Sequence, residues 1–202
     1  MEKTFYLAFE PELMIWLQAH MGKFAERLAV IFTAFGEELL LIAIIGYIYW
    51  CFDKKLGYHT GLTMICGLVF NPMIKNVFLR RRPYFDHEKI KCLRPVESGA
   101  DLYDAAAQGY SFPSGHSTDA VTIYTSLAIY KRKRFFCMIG ILMPLFIGIS
   151  RICLGVHYPT DVFFGWLLGL MVIILLERLK RRMARNKLFL LLIFVSTIGF
   201  FY

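Results

Sequence analysis

Charged residues are scarce in this chain, and their scarcity argues against a soluble fold. Asp, Glu, Lys and Arg make up 19% of the 202 residues, whereas hydrophobic residues make up 57% and aromatic residues 16%. A soluble domain of this length needs more polar side chains to cover its surface. Because the apolar residues also fall in long blocks, the sequence indicates an integral membrane protein.

Spacings typical of metal sites are also missing. The five cysteines show no CxxC or Cys/His ligand spacing, and no cluster of carboxylates indicates a hard cation. We therefore expect free thiols, no metal and no cofactor. The N-terminus, MEKTFYLAFEPE, mixes acidic residues with apolar ones, so we expect no cleavable signal peptide.

The net charge of +8 is distributed in a way that does not indicate a nucleic-acid partner. Apart from a run of three arginines, basic residues gather between apolar blocks, at Lys54–Lys55, Lys131 to Arg134 and Arg178 to Lys187. Short basic loops are typical of the cytoplasmic side of a membrane protein. The segments 80–115 and 153–159 would then lie on the outer face. We expect the lipid bilayer as a partner and leave homo-oligomer formation open.

Apolar blocks of sufficient or nearly sufficient length to cross a bilayer recur along the chain. They run over about 39–52, 60–79, 117–130, 135–154, 160–176 and 188–202. This pattern predicts an all-α fold, a polytopic membrane helical bundle of about six transmembrane helices. We expect a multi-pass protein of a bacterial cell membrane.

The stretch before the first block is different. Apolar residues recur at helical spacing over 11–35, but Lys23, Glu26 and Arg27 interrupt them, and central charges are costly in lipid. We interpret it as amphipathic helices at the interface, with a spanning helix as the less favoured alternative. The predicted organisation is 1–35 as N-terminal interfacial helices and 36–202 as the membrane domain, with 80–115 as an outer loop.

The first polar cluster follows the 60–79 block. Lys75 and Arg82 are seven residues apart, two helical turns, so both project from one face, and Pro83 marks the end of the helix. A lysine inside an apolar block is costly without a partner or a ligand. For Arg80 or Arg81 alone, we favour a side chain whose aliphatic part lies along apolar surface and whose charged group reaches the membrane interface.

Two further clusters stand at the ends of apolar blocks. Ser114 and Gly115 would place free backbone N–H groups at a helix N-terminus, which binds oxyanions, and His116 in the first turn can donate a proton. Arg151 precedes His157 and Asp161, a pair in which a carboxylate can fix the imidazole tautomer and raise its basicity. Pro159 is expected to open the helix that contains Asp161.

Each cluster alone has a structural explanation, but together they indicate phosphoryl transfer. That reaction needs cations and backbone donors on the phosphate oxygens, an in-line nucleophile and an acid for the leaving oxygen. All of these groups are predicted to lie on one side of the membrane.

The complete pattern resembles a known family signature. Lys75-x6-Arg82-Pro83, then Pro113-Ser114-Gly115-His116, then Ser150-Arg151-x5-His157-x3-Asp161, is similar to the three-part signature of the type 2 phosphatidic acid phosphatases. The same signature occurs in vanadium haloperoxidases and bacterial acid phosphatases. The resemblance covers about residues 36–178.

The resemblance implies catalytic and phosphate-binding roles for these residues. His157 would be the nucleophile that forms a phosphohistidine, Asp161 would orient it, and His116 would protonate the leaving group and later activate water. The phosphate would be bound by Lys75, Arg82, Ser114, Gly115 and Arg151, without a metal. Arg80 or Arg81 would be available to contact a second phosphate or a lipid head group.

The expected function is hydrolysis of a lipid phosphomonoester or diphosphate at the outer face. Phosphatidate, phosphatidylglycerol phosphate, undecaprenyl diphosphate and sphingoid phosphates are equally compatible with the sequence. The alternatives are a lipid phosphotransferase that uses the same phosphohistidine, a haloperoxidase that holds vanadate, and a non-catalytic transporter or scaffold of the same fold.

Overall fold

The computed structural model describes residues 5–184, 187–188, 190–194 and 197, and within these ranges it contains helices but no β-strand. In chain order the helices are α1 (Phe9–His20), α2 (Lys23–Ala34), α3 (Glu38–Tyr47), α4 (Lys54–Phe78), α5 (Pro83–Asp86), α6 (Ala105–Gln108), α7 (Gly115–Ala120), α8 (Ser126–Lys131), α9 (Arg134–Cys153) and α10 (Pro159–Arg182). Two π-helical turns, Ile48–Phe52 and Val121–Thr125, extend α3 and join α7 to α8. The predicted all-α helical bundle is confirmed.

Three of these helices, α4, α9 and α10, are long and apolar enough to cross a membrane. Helices α2 and α3 with its π-turn, which meet at a bend of 57°, would make a fourth span if they act as one. The sequence had predicted about six spans. The block at 117–130 forms the uninterrupted α7–α8 segment, which carries buried polar side chains and packs among the other helices. Of the block at 188–202, residues 189, 195–196 and 198–202 lie outside the described residues.

Local sequence explains several helix boundaries. Helix α4 begins six residues before the predicted apolar block, because the side chain of Asp53 accepts hydrogen bonds from the backbone N–H groups of Lys55 and Leu56. Pro159 is the first residue of α10, as expected from its fixed φ and missing N–H. In the long loop, Asp104 caps the short helix α6.

The α7–α8 segment lies at the centre of the bundle and approaches α10 closely. A Cβ atom built on Gly169 would lie 2.6 Å from Cβ of Val121, and one built on Gly165 would lie 2.6 Å from the carbonyl oxygen of Ser114. Only glycine allows this approach, since contacts below about 3 Å are not tolerated between carbon atoms. The close packing sets the start of α7 against the start of α10.

The two ends of the helix bundle carry different groups of polar residues. At one end, Lys131 Nζ donates to Asp53 Oδ2 at 2.7 Å, and Lys180 Nζ lies 2.8 Å from His59 Nδ1. This is the end that carries the basic loops. At the other end, α4 and α9 finish where α7 and α10 begin. The candidate site residues lie there.

Candidate active site

Four helix ends enclose a cavity of about 210 Å³ at the end of the bundle opposite the basic loops. Its lining includes six of the eight predicted site residues, namely Lys75, Arg82, Gly115, His116, Arg151 and His157. The other two, Ser114 and Asp161, are fully buried. The structure therefore brings together residues that are up to 86 positions apart in the chain.

The three cations of the cavity are held in place by neutral oxygen atoms. Lys75 Nζ donates to the carbonyl oxygen of Tyr110 at 3.0 Å. The Arg82 guanidinium donates to the carbonyl oxygens of Gln108 and Gly109, both at 2.9 Å, and of Val156 at 3.0 Å. Because these acceptors carry no formal charge, the cations remain able to attract an anion into the cavity.

Arg151 illustrates how the N-terminal helices contribute to the site. Its Nη1 atom donates to Thr33 Oγ1 of α2 at 2.7 Å, while its buried Nε has no hydrogen-bond partner. A buried N–H group without a partner is costly, and a bound anion would satisfy it. The sequence did not indicate Thr33, since a single threonine in an amphipathic helix is unremarkable.

Ser114 caps α7 and links it to α10. Its hydroxyl oxygen accepts from Ser117 Oγ at 2.9 Å, and its backbone N–H donates to the carbonyl oxygen of Asp161 at 3.0 Å. Asn71 of α4 secures the preceding turn, because its Nδ2 atom donates to the carbonyl oxygen of Pro113 at 3.3 Å. The predicted anion-binding helix start thus faces the cavity beside His116.

His157 and Asp161 are close, but a serine stands between them. His157 Nδ1 lies 3.6 Å from Asp161 Oδ2, beyond hydrogen-bond distance. Ser111 Oγ donates to Asp161 Oδ2 at 2.5 Å and lies 3.3 Å from His157 Nδ1. If Nδ1 carries the proton and donates to Ser111, Nε2 keeps its lone pair. No spacing rule pointed to Ser111.

The environment of His157 favours the neutral imidazole. The ring lies in the turn between α9 and α10 and is 2% exposed. Burial, followed by the charges of Arg82, Arg151 and Lys75, lowers the pKa of His157 well below its usual value. An unprotonated ring nitrogen is what a nucleophile requires.

Arg80 does not behave as the sequence suggested. It was expected to extend to the interface or to contact a second phosphate, but its side chain is only 1% exposed and is not among the residues that line the cavity. Its Nη1 atom donates to Asp161 Oδ1 at 2.6 Å. The proposed phosphate contact of Arg80 is therefore wrong, because a buried arginine close to a buried carboxylate pairs with it. Arg81 is partly exposed and lies 3.5 Å from Asp86.

Within the described part of the chain, no group of three or more His, Cys, Asp or Glu side chains is placed to hold a metal ion. The cavity does contain two acidic residues, Glu38 and Asp119, which the sequence analysis did not select. They line it together with the cations rather than converging on one point with the histidines.

Comparison with known proteins identifies the family. Residues 56–185 match the PAP2 superfamily. The chain belongs to this superfamily. A undecaprenyl-diphosphatase of Sulfolobus acidocaldarius is 26% identical over 81% of this chain and 74% of its own length. The undecaprenyl-diphosphatase BcrC of Bacillus subtilis is 31% identical over 71% of this chain and 69% of its own length.

Solved structures agree with this assignment. The crystal structure of Aquifex aeolicus LpxE matches with a TM-score of 0.73 and 26% identity, over 87% of this chain and 98% of that one. A transmembrane PAP2-type phosphatidylglycerolphosphate phosphatase from Bacillus subtilis matches in fold with a TM-score of 0.65 and 24% identity, over 87% and 86% of the two chains. The expected membership of a family of membrane lipid phosphate phosphatases is confirmed.

Proposed function

We propose that this protein hydrolyses a lipid phosphate or diphosphate through a phosphohistidine on His157, without a metal. The observation that carries the proposal is the cavity, in which two buried arginines, a partly buried lysine and a helix N-terminus surround two histidines. This arrangement supplies phosphate binding, a nucleophile and an acid at one place, which is what phosphoryl transfer requires.

The reaction has two steps. His157 Nε2 attacks phosphorus and forms the N–P bond, while the bond from phosphorus to the leaving oxygen breaks and His116 gives that oxygen a proton. The leaving oxygen is the ester oxygen of a lipid monophosphate or the bridging oxygen of a lipid diphosphate. His116 then takes a proton from water, whose oxygen attacks phosphorus and releases His157 and inorganic phosphate. Lys75, Arg82 and Arg151, with the backbone N–H groups after Ser114, would hold the phosphate oxygens in both steps.

The substrate would enter from the bilayer on the outer face. The basic loops at the opposite end of the bundle support a cytoplasmic position for that end, so the cavity would open on the other side. Long-chain isoprenoid diphosphates are the first candidates, because two relatives that cover 81% and 71% of this chain are undecaprenyl-diphosphatases. Phosphatidylglycerol phosphate follows, since a phosphatidylglycerophosphatase B is 35% identical over 38% of the chain.

The test is phosphate release by purified protein in detergent with EDTA present. The panel is undecaprenyl diphosphate, phosphatidylglycerol phosphate, phosphatidate and a sphingoid phosphate. His157→Ala should abolish release, and His20→Ala, at an exposed position of α1, should leave it unchanged. Release that depends on a divalent metal would overturn the metal-free mechanism. Transfer of phosphate to an added alcohol in preference to water would support a phosphotransferase instead.

A further inference from the structure

A buried ion-pair network connects Asp161 to the N-terminal helix α1. Arg80 contacts two carboxylates at once: Nη1 lies 2.6 Å from Asp161 Oδ1 and Nη2 lies 3.3 Å from Glu10 Oε2. Asp161 and Glu10 are both fully buried. The phosphoryl-transfer steps described above do not use Arg80 or Glu10, although a buried charge is costly enough to need a reason.

Glu10 is held by more than its contact with Arg80. Its Oε1 atom accepts hydrogen bonds from the backbone N–H and from Oγ1 of Thr160, both at 2.8 Å. Its Oε2 atom also accepts from the backbone N–H of Leu7 at 2.8 Å. Glu10 therefore ties the start of α1 to the first turn of α10, one residue before Asp161.

Arg80 is enclosed so that it has little freedom to move. Its guanidinium carbon lies 4.1 Å from the ring centroid of Tyr158 and 4.6 Å from that of Phe5. The ring of Tyr6 stacks on that of Tyr158, with the two centroids 5.8 Å apart and an interplanar angle of 9°. Cation–π contacts of this kind hold a guanidinium in one plane and exclude water from its pairs.

We propose that Glu10 and Arg80 are positioning residues, which hold Asp161, and through it Ser111 and His157, in the geometry for attack on phosphorus. One Asp161 oxygen is fixed by Arg80, so the other remains aimed at Ser111. Helix α1 is thereby part of the catalytic arrangement. This inference rests on the proposed function for the identity of the nucleophile.

The physical basis is the number of contacts that each carboxylate oxygen keeps. Asp161 Oδ1 has Arg80, and Oδ2 has Ser111 and the backbone N–H of Tyr158 at 2.8 Å. Without Arg80 in place, Oδ1 would lose its strongest partner, and the carboxylate would rotate towards other donors. The imidazole would then lose the fixed orientation that in-line attack requires.

The test compares Glu10→Gln with Glu12→Gln, the same change at an exposed position of the same helix. The glutamine keeps an acceptor for Thr160 but removes the charge that faces Arg80. We expect kcat to fall about 10- to 100-fold, since a misplacement of about 1 Å can cost about 100-fold. The KM and the inhibition constant of inorganic phosphate should stay within about twofold, because Lys75, Arg82 and Arg151 are untouched. Glu12→Gln should match the wild type.

Two further variants test the charge itself. Glu10→Asp keeps the charge and should recover part of the lost kcat. Arg80→Lys should lower kcat at least as much as Glu10→Gln, because one ammonium cannot hold both carboxylates as a guanidinium does. Arg27→Lys, at an exposed arginine of α2, is its matched control. If Glu10→Gln does not fold, Glu10→Asp and Arg80→Lys carry the same comparison.

A kcat of Glu10→Gln within about twofold of that of Glu12→Gln, in folded protein, would overturn the proposal. Parallel loss of kcat, phosphate binding and thermal stability would also overturn it, since that pattern indicates a general structural role. If the wild type released no phosphate from any lipid, the proposed function would fail separately. Vanadate can bond to an imidazole nitrogen as well as occupy the phosphate site, so its binding would then decide the positioning role. Wild-type vanadate affinity in Glu10→Gln would contradict the role, and weaker vanadate binding at unchanged phosphate affinity would support it.

Discussion

At the scale of single residues, the site depends on a hydroxyl group that no motif marks. Ser111 Oγ lies 3.3 Å from His157 Nδ1 and 2.5 Å from Asp161 Oδ2. Asp161 can therefore orient the imidazole only through the hydroxyl group of Ser111. Motif spacing selected the two ends of this chain of contacts. It could not select the middle, because Ser111 reaches them through the path of the loop before Pro113.

Ser111→Ala should lower kcat while leaving phosphate affinity close to that of the wild type. The change removes the hydroxyl that satisfies a buried carboxylate oxygen, and such a loss costs about 1–3 kcal/mol, or about 5- to 150-fold. Steady-state hydrolysis and competitive inhibition by phosphate would measure it, with Ser98→Ala at an exposed loop position as control. An unchanged kcat would show that His157 is oriented without Ser111.

The pH dependence should reflect the lowered pKa of His157. A histidine with a lowered pKa stays neutral as pH falls below the ordinary value of about 6.5, and it gains a proton only when pH passes its own lower pKa. Activity that needs a neutral His157 should therefore persist below about pH 6.5 on the acid side. Profiles of kcat/KM against pH would test this, and an acid limb at or above pH 6.5 would contradict it.

The same shift has a consequence for stability. The unfolded chain binds a proton at His157 more readily than the folded chain does, so the free energy of unfolding should decrease as pH falls through the unfolded pKa. His157→Gln should reduce this acid sensitivity. Denaturation midpoints in detergent at pH 7 and at about pH 5 would measure the difference.

At the scale of elements, the site is made by helix ends held together by close packing. Gly165 and Gly169 let α10 approach α7 at two successive turns. This approach brings Ser114 against the first turn of α10, where its N–H group bonds to Asp161. The start of α7 and the first turn of α10, which carries Asp161, are therefore parts of one helix–helix contact.

Gly169→Ala should destabilise the bundle. The added Cβ would lie 2.6 Å from Cβ of Val121, so one helix must shift, at about 1–3 kcal/mol for overpacking of this kind. Thermal unfolding in detergent should show a lower Tm. Gly99→Ala is the control, because its Cβ would meet only Glu97 Oε1, at 3.8 Å. A Tm equal to that of the control would mean that the α7–α10 contact adapts without strain.

At the scale of the whole molecule, the two ends of the bundle differ in charge and in chemistry. Lys131 and Lys180, from two of the basic clusters, lie at one end, and the cavity opens at the other. A membrane-anchored substrate can present its phosphate only to a cavity on its own leaflet. Orientation in the bilayer therefore determines which pool of lipid the enzyme can use.

The orientation can be tested by labelling single cysteines in a chain whose native cysteines have been replaced. Glu97→Cys, exposed in the loop near the cavity, should react with a membrane-impermeant maleimide in intact cells. Lys133→Cys, exposed at the basic end, should react only after the membrane is opened. The reverse pattern would place the cavity in the cytoplasm.

The sequence by itself determined the helical membrane class, the family and six of the residues that line the cavity. Those features depend on composition and on local spacing, such as Lys75 and Arg82 on one helical face or Ser114 at a helix start. Only the tertiary structure showed which further side chains hold the predicted site residues in place. Glu10, Thr33 and Ser111 reach the site from segments distant in the chain, and Arg80 turned from an expected lipid contact into a buried partner of Asp161. The physical reason is that a hydrogen bond or ion pair depends on distances of a few ångströms, which are set by how helices pack and not by the order of residues along the chain.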